Sequence, residues 1–165
     1  MEIGNETHKY EVIDDWAKLP ANLVFGTTHG VVEDKKGNIY IHHTGKQSVI
    51  RFRPDGTFID SWGDEYESGA HGMHLRREGE DEFLYLSATS LGFVAKTTLD
   101  GEEIFRITTP DLADIYDEEH LFVPTETAVA SDGRIYVTDG YGQSWVHVYS
   151  SDGKYIKSFG GMGSG

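Results

Sequence analysis

The chain has 165 residues, 38% of them apolar and 12% aromatic, which suits one packed domain rather than a disordered segment. Its 28 acidic against 14 basic residues give a formal net charge of −14, and Lys and Arg form no run or stripe, so neither nucleic acid nor a membrane surface is expected as a partner. The absence of cysteine removes disulfides and thiolate metal sites and leaves the redox compartment open.

Residues 1–26 form an acidic lead-in with no apolar leader core, and no window approaches 18 uninterrupted apolar residues. The chain as given is therefore expected to be soluble and to carry no address. One strand is predicted over Tyr10–Ile13, followed by a loop around Lys18-Leu19-Pro20. In a ring of repeated sheets such a terminal strand often completes the last unit.

From residue 27 onward the chain repeats itself. The first unit, 27–63, contains "HGVVED", "GNIYIHHT", "QSVIRFRPDG" and "TFIDSWG". The second, 69–108, reads "HGMHLRREG", "EFLYLSATS", "GFVAKTTLDG" and "EEIFRIT". Residues 109–124, "TPDLADIYDEEHLFVP", lengthen the next step, with Leu112 and Ile115 spaced for one short helical turn. The third unit, 123–161, reads "TETAVASDG", "RIYVTDGYG", "SWVHVYSSDG" and "KYIKSFG". Tyr40, Tyr85 and Tyr136 are equivalent, separated by 45 and 51 residues, as are the Asp-Gly pairs at 55–56, 100–101 and 152–153.

Each unit has four short runs rich in Val, Ile, Tyr and Phe, divided by Gly, Asp and Pro signals that suit hairpins. Alternation in "SVIRFRP" and "WVHVYS" gives these strands two unlike faces. A four-stranded antiparallel sheet every 45 or so residues marks a β-propeller blade, which buries its faces against neighbouring blades. The expected fold is all-β, with three four-stranded blades. Closed propellers have about four to eight blades, and each apolar face left wet costs about 25 cal/mol per Å2. The three blades thus read as about half of a six-bladed ring, completed by further chain or by a second copy in a closed homodimer.

Two motifs carry candidate chemistry. His29-Gly30 and His71-Gly72 open the first strand of two successive units, the strand nearest the axis. Imidazoles at equivalent places converge on the axial mouth, and three protein ligands with one open position is the common catalytic zinc arrangement. His71 is therefore a candidate metal ligand and His29 a candidate ligand-binding group. The structural alternative has each ring bonding a neighbouring blade's backbone while the glycine permits a tight turn. The third unit has Thr125-Glu126 there, so the axial ring is not uniformly His.

The second motif is "TDGYGQSW", 138–145. Tyr141 is the candidate catalytic acid or base, provided a metal lowers its pKa from the usual value of about 10; Asp139 and Trp145 are ligand-binding candidates. The alternative makes Tyr141 a packing residue of the rim. His42 and His43 lie on alternating faces, cannot serve one ligand, and read as an exposed turn. The acidic "DIYDEEH", 114–120, reads as a solvated loop, with weak calcium binding as the remote alternative. His8, His74, His120 and His147 have no counterparts in the pattern.

The runs "GNIYI", "SVIRF.PDGTFIDSWG", "GAHGM", "PTETAVASDGRIYVTDGYG" and "VHVYSSDGKYIKSFGG" resemble NHL-repeat six-bladed propellers, and among these the bacterial relatives of peptidyl-α-hydroxyglycine α-amidating lyase. The resemblance covers about 27–161. It implies a zinc ion on the axis held by three His from alternate blades, and a Tyr from a D-G-Y turn that takes part in cleavage. Ala70-His71-Gly72 matches the first ligand motif and Tyr141 the tyrosine. The other two ligands would lie in later blades. Where many relatives read Arg-Gly after the second strand, this chain has Thr44-Gly45, with Lys46 close by. Two functions follow. One is a binding scaffold offering an axial or rim surface to a peptide, protein or small polar ligand. The other is a zinc-dependent lyase whose ligand set is completed by further blades; no turnover is expected of these three alone, because one or two His do not make a tight zinc site.

Overall fold

The computed structural model describes residues 2–112 and 114–163. Strands β3 (Thr28–Glu33), β4 (Ile39–His43), β5 (Val49–Phe52) and β6 (Phe58–Trp62) form the first four-stranded sheet. The second holds β7 (Ala70–Glu78), β8 (Asp81–Ala88), β9 (Phe93–Thr98) and β10 (Glu103–Ile107). In the third are β11 (Glu126–Val129), β12 (Ile135–Thr138), β13 (Trp145–Tyr149) and β14 (Tyr155–Gly160). Every sheet is an antiparallel meander in chain order, so the chain is an arc of three β-propeller blades.

Period-two alternation explains how one sheet serves two cores. Along β8, Leu84, Leu86 and Ala88 pack with Tyr40, Val49, Tyr66 and Phe93 between the first and second blades. Tyr85, one residue out of step, packs with Ile107, Phe122, Ile135, Val137 and Tyr149 between the second and third. Leu84 and Leu86 are wholly buried, each contributing about 1.5–3 kcal/mol by the usual scale for side-chain burial.

The repeated tyrosines hold equivalent places. Tyr40, Tyr85 and Tyr136 sit on the second strand of each blade, opposite Arg51, Lys96 and Val148 on the third. The Tyr40 hydroxyl donates to Asp34 (3.2 Å) and accepts from Arg51 Nη1 (3.1 Å). That of Tyr85 donates to Glu78 (3.2 Å), which also takes both bonds of Lys96 Nζ at 2.7 and 2.8 Å. A buried phenol beside a paired cation and carboxylate thus recurs in blades one and two. Tyr136 is only half-buried, since no described sheet packs on that side of the third blade.

The inner strands run side by side. A Cβ on Gly30 would stand 2.5 Å from Met73 Cβ, and one on Gly72 would stand 2.5 Å from the Thr125 carbonyl oxygen. Gly72 N–H donates to that same oxygen at 3.0 Å. Each His-Gly pair therefore carries its glycine where the next inner strand leans in.

The lead-in departs from expectation. The strand predicted over Tyr10–Ile13 is the shorter β2 (Lys9–Glu11), and it pairs with β1 (Glu2–Gly4) rather than with a blade. Residues 14–26 instead cover the outer face of blade one. The ring centroids of Trp16 and Phe25 lie 5.6 and 6.3 Å from that of Phe52, and Trp16 Nε1 donates to the Pro54 carbonyl at 3.1 Å. In the 109–124 segment, the N–H groups of Ile115 and Tyr116 both bond the Leu112 carbonyl (2.9 and 3.0 Å), a hydrogen-bonded turn where the sequence suggested a short helical one; no described residue there is helical.

Gly72→Ala is expected to lower stability by about 1–3 kcal/mol, as overpacking does where backbone cannot move aside. Thermal melting followed by circular dichroism reads this directly. A melting temperature equal to that of the unmodified chain would show that the inner strands separate freely.

Candidate functional site

His29 and His71 begin adjacent inner strands, and Tyr141 lies in the turn between β12 and β13. The fold brings all three together. The His29 and His71 rings stack with centroids 4.3 Å apart and planes 23° apart. Tyr141 meets His71 edge-on at 5.3 Å, its hydroxyl 3.4 Å from His71 Nε2. His71 Nδ1 lies 2.8 Å from the Thr125 carbonyl oxygen. A carbonyl only accepts, so Nδ1 carries the proton, and Nε2 points outward, towards Tyr141. Tyr141 is 68% exposed and His29 is exposed, so the mouth is open to solvent. Burial first, and then the neighbouring His71, hold the His29 imidazole below the usual histidine pKa.

The other sequence candidates lie apart from this trio. Asp139 is wholly buried. Its Oδ1 accepts from Val123 N–H at 2.7 Å, and its Oδ2 from Gln143 N–H at 2.6 Å and the Tyr116 hydroxyl at 2.9 Å. Gly142 makes room for it, because a Cβ there would fall 2.1 Å from Asp139 Oδ1. The carboxylate thus pins residues 116–123 to the turn that carries Tyr141. Trp145 lines a separate hollow with Asp114, Asp117 and His120.

His147, which had no counterpart in the repeat, is fully buried and belongs to the same network. The Tyr116 proton goes to Asp139, so His147 Nε2–H donates to the Tyr116 oxygen at 2.5 Å. His147 Nδ1 then accepts from Ser158 Oγ at 2.6 Å. Burial raises the Tyr116 pKa, with the Asp139 hydrogen bond and charge acting the same way. No spacing signal could have found this chain of bonds, because its members lie in one blade and in the inserted segment.

His42 and His43 correct the sequence reading. Both are wholly buried rather than set in an exposed turn. They do face opposite sides. His42 Nδ1 lies 3.3 Å from the Gly72 carbonyl, and the ring meets Tyr66 edge-on at 5.8 Å. His43 Nδ1 accepts from Gly26 N–H (3.1 Å) and Gly45 N–H (3.0 Å), tying the lead-in to the turn after β4. Repeated turn signals located that turn correctly, but they could not show that residues 14–26 fold over it. Burial lowers the His42 pKa to about 4 and also lowers those of His43, His74 and His147.

No known family model matches the chain. Among solved structures it resembles virginiamycin B lyase from Staphylococcus aureus, with a TM-score of 0.63 and 16% identity over 84% of this chain and 42% of that one. A catalytically inactive variant of that enzyme with quinupristin gives 0.60 and 14% over 93% and 44%, respectively. A protein of unknown function from Bacteroides caccae gives 0.57 and 16% over 79% and 48%. The likeness is one of fold. This chain spans less than half the length of each of these structures. No described helix is long and apolar enough to cross a membrane.

The described residues include no group of three or more His, Cys, Asp or Glu arranged to hold a metal ion. His71 has the orientation of a ligand, its Nδ1–H on a backbone carbonyl and its Nε2 turned to the open mouth beside the Tyr141 hydroxyl, as metal-binding histidines are commonly held. Stacked rings, however, do not aim two lone pairs at one point, so His29 and His71 as placed do not form a zinc site.

Two outcomes follow from these buried groups. Asp139→Ala is expected to cost about 2–4 kcal/mol, since it strands two backbone donors and a buried phenol, and to loosen residues 116–123 before the rest. Hydrogen exchange checks the order of loosening. The pH dependence has a definite sign. The folded state holds His42 at about 4, below the unfolded value of about 6.5, so its contribution is complete above pH 6.5 and is lost as pH falls towards 4. For His42 alone the loss is on the order of 3 kcal/mol. Melting temperatures between pH 7.5 and 4.5 should fall steeply, and His42→Gln should flatten the slope; parallel profiles would refute the assignment.

Proposed function

We propose that the chain is the ligand-binding part of an NHL-type β-propeller and takes a peptide or small polar ligand at the axial mouth formed by His29, His71 and Tyr141. The supporting observation is that side chains from three successive blades meet at one solvent-open point, His71 linking the other two. Each supplies something different. His71 Nε2 accepts, the Tyr141 hydroxyl donates or accepts, and the His29 ring offers a flat face. The overall charge of −14 repels negative partners, which suits the mouth to a polar ligand better than to an anion.

A second reading, a zinc-dependent lyase of the peptidyl-α-hydroxyglycine α-amidating type, is favoured by the bond from His71 Nδ1 to Thr125. It needs ligands that the described residues do not supply. In that reading His71 and Tyr141 hold their positions as ligand and as acid or base, and further blades complete the set.

Both readings are tested by adding a glycyl dipeptide amide to the protein and following the histidine Cε1–H resonances by NMR. Saturable shifts of His29 and His71 are expected, with Tyr141→Phe weakening binding by about fivefold, the worth of one exposed hydrogen bond. Metal analysis after dialysis against zinc should find no stoichiometric ion. Stoichiometric zinc lost on His71→Ala would transfer the site to the second reading, and absence of both shifts and zinc would remove the mouth as a binding site.

A further inference from the structure

Beside the turn that carries Tyr141 lies a second hollow, of about 290 Å3. Trp145, Ile115 and Met162 supply its apolar lining, and Asp114, Asp117, His120 and Gln143 its polar lining. Trp145 starts β13, and Gly161 packs closely on its six-membered ring: a Cβ on that glycine would stand 3.0 Å from Cζ2. The indole is thereby held in place. Asp117 Oδ1 accepts three bonds, from Glu119 N–H (2.8 Å), His120 N–H (2.7 Å) and His120 Nδ1 (2.8 Å). These fix the carboxylate on its loop, and no hydrogen bond to its Oδ2 or to Asp114 is formed among the described residues.

We infer that this hollow binds an organic cation, an alkylammonium or guanidinium group, with its apolar body against Trp145 and Met162 and its charge facing Asp114 and Asp117. A fixed indole within reach of a cation attracts it through the ring quadrupole, and nearby carboxylates add to that attraction. A bare metal ion fits less well. Two Asp and one His line the same cavity, yet they are not arranged to hold a metal, and apart from Gln143 the remaining lining is aromatic, aliphatic and thioether. The net charge of −14 draws cations towards the surface generally, and the hollow offers a shaped place to keep one. The inserted segment 109–124 contributes both acidic residues of its wall, so the insertion gains a role beyond lengthening the step between blades.

Two sources present such a cation, a free amine and the Lys or Arg side chain of a peptide. The test follows the Trp145 indole N–H resonance while tetramethylammonium chloride, choline, a lysine-containing tetrapeptide, or the uncharged choline isostere 3,3-dimethylbutanol is added at constant ionic strength. The cations are expected to shift this resonance saturably and the isostere to leave it in place. Asp114→Asn and Asp117→Asn should each weaken binding by about threefold to tenfold, and Trp145→Leu should abolish the effect of the cations on neighbouring resonances. His71→Ala should leave cation binding unchanged, which separates this site from the axial mouth: either can fail while the other stands. A tetrapeptide binding at least tenfold tighter than choline assigns the site to a protein side chain, and the reverse order assigns it to a free amine. Equal response to cation and isostere, or unchanged affinity in the Asp114→Asn/Asp117→Asn double variant, overturns the proposal.

Discussion

The close approach of neighbouring inner strands is the constraint on which the rest depends. Blades bury their flat faces only if β3, β7 and β11 come near enough to close the space at the axis, and that nearness leaves no room for side-chain atoms at residues 30 and 72. Glycine is dictated there by the neighbour rather than by an unusual backbone conformation. Once the inner strands are fixed, alternation along each strand divides its residues between two cores, and a single sheet becomes a wall shared by two compartments. The mouth is then a geometric by-product. Residues just before the glycines, His29 and His71, are carried to the same end of the arc and so close together that their rings stack.

This explains why the fold was legible in the sequence and the site only in part. The tyrosines at 40, 85 and 136 and the Asp-Gly turns recur because every blade repeats one hairpin pattern, and a repeat can be read without knowing what surrounds it. His29, His71 and Tyr141 inherit their positions from that repeat, so their convergence could be anticipated. Asp139 could not be assigned the same way. It stands two residues before Tyr141, yet its carboxylate turns inward to the inserted segment, and only the path of that segment shows why. His42 and His43 failed for a related reason. A histidine pair next to a glycine turn has the composition of an exposed loop, and what buries it comes from residues 14–26 on one side and from β7 on the other.

Some of the buried polar groups in this chain join irregular segments to the regular sheets. Asp139, Tyr116 and His147 join residues 109–124 to blade three, His43 joins the lead-in to blade one, and Glu82 takes the Lys35 N–H across the first two blades at 3.0 and 3.1 Å. Sheets satisfy their own backbone groups through strand pairing, whereas loops packed on them need side-chain partners. The cost is sensitivity to acid. Two of these partners, His43 and His147, are imidazoles whose pKa burial lowers, so protonating them in the folded state opposes the packing of the segments they hold.

For His71 one arrangement fills the structural role and suits the functional role proposed for it. The bond to Thr125 holds blade two against blade three, which is the structural role, and by placing the proton on Nδ1 it leaves Nε2 as a fixed acceptor at the mouth, which is what any ligand role requires. A ring without that anchor could rotate and exchange its proton between the two nitrogens, offering a less definite partner. The same logic separates His29, which stacks on His71 without a backbone anchor of its own among the described residues, so its contribution to the mouth is a surface more than a directed bond. Directionality at the axial end therefore rests on blade two, and the neighbouring blades shape the space in which it acts.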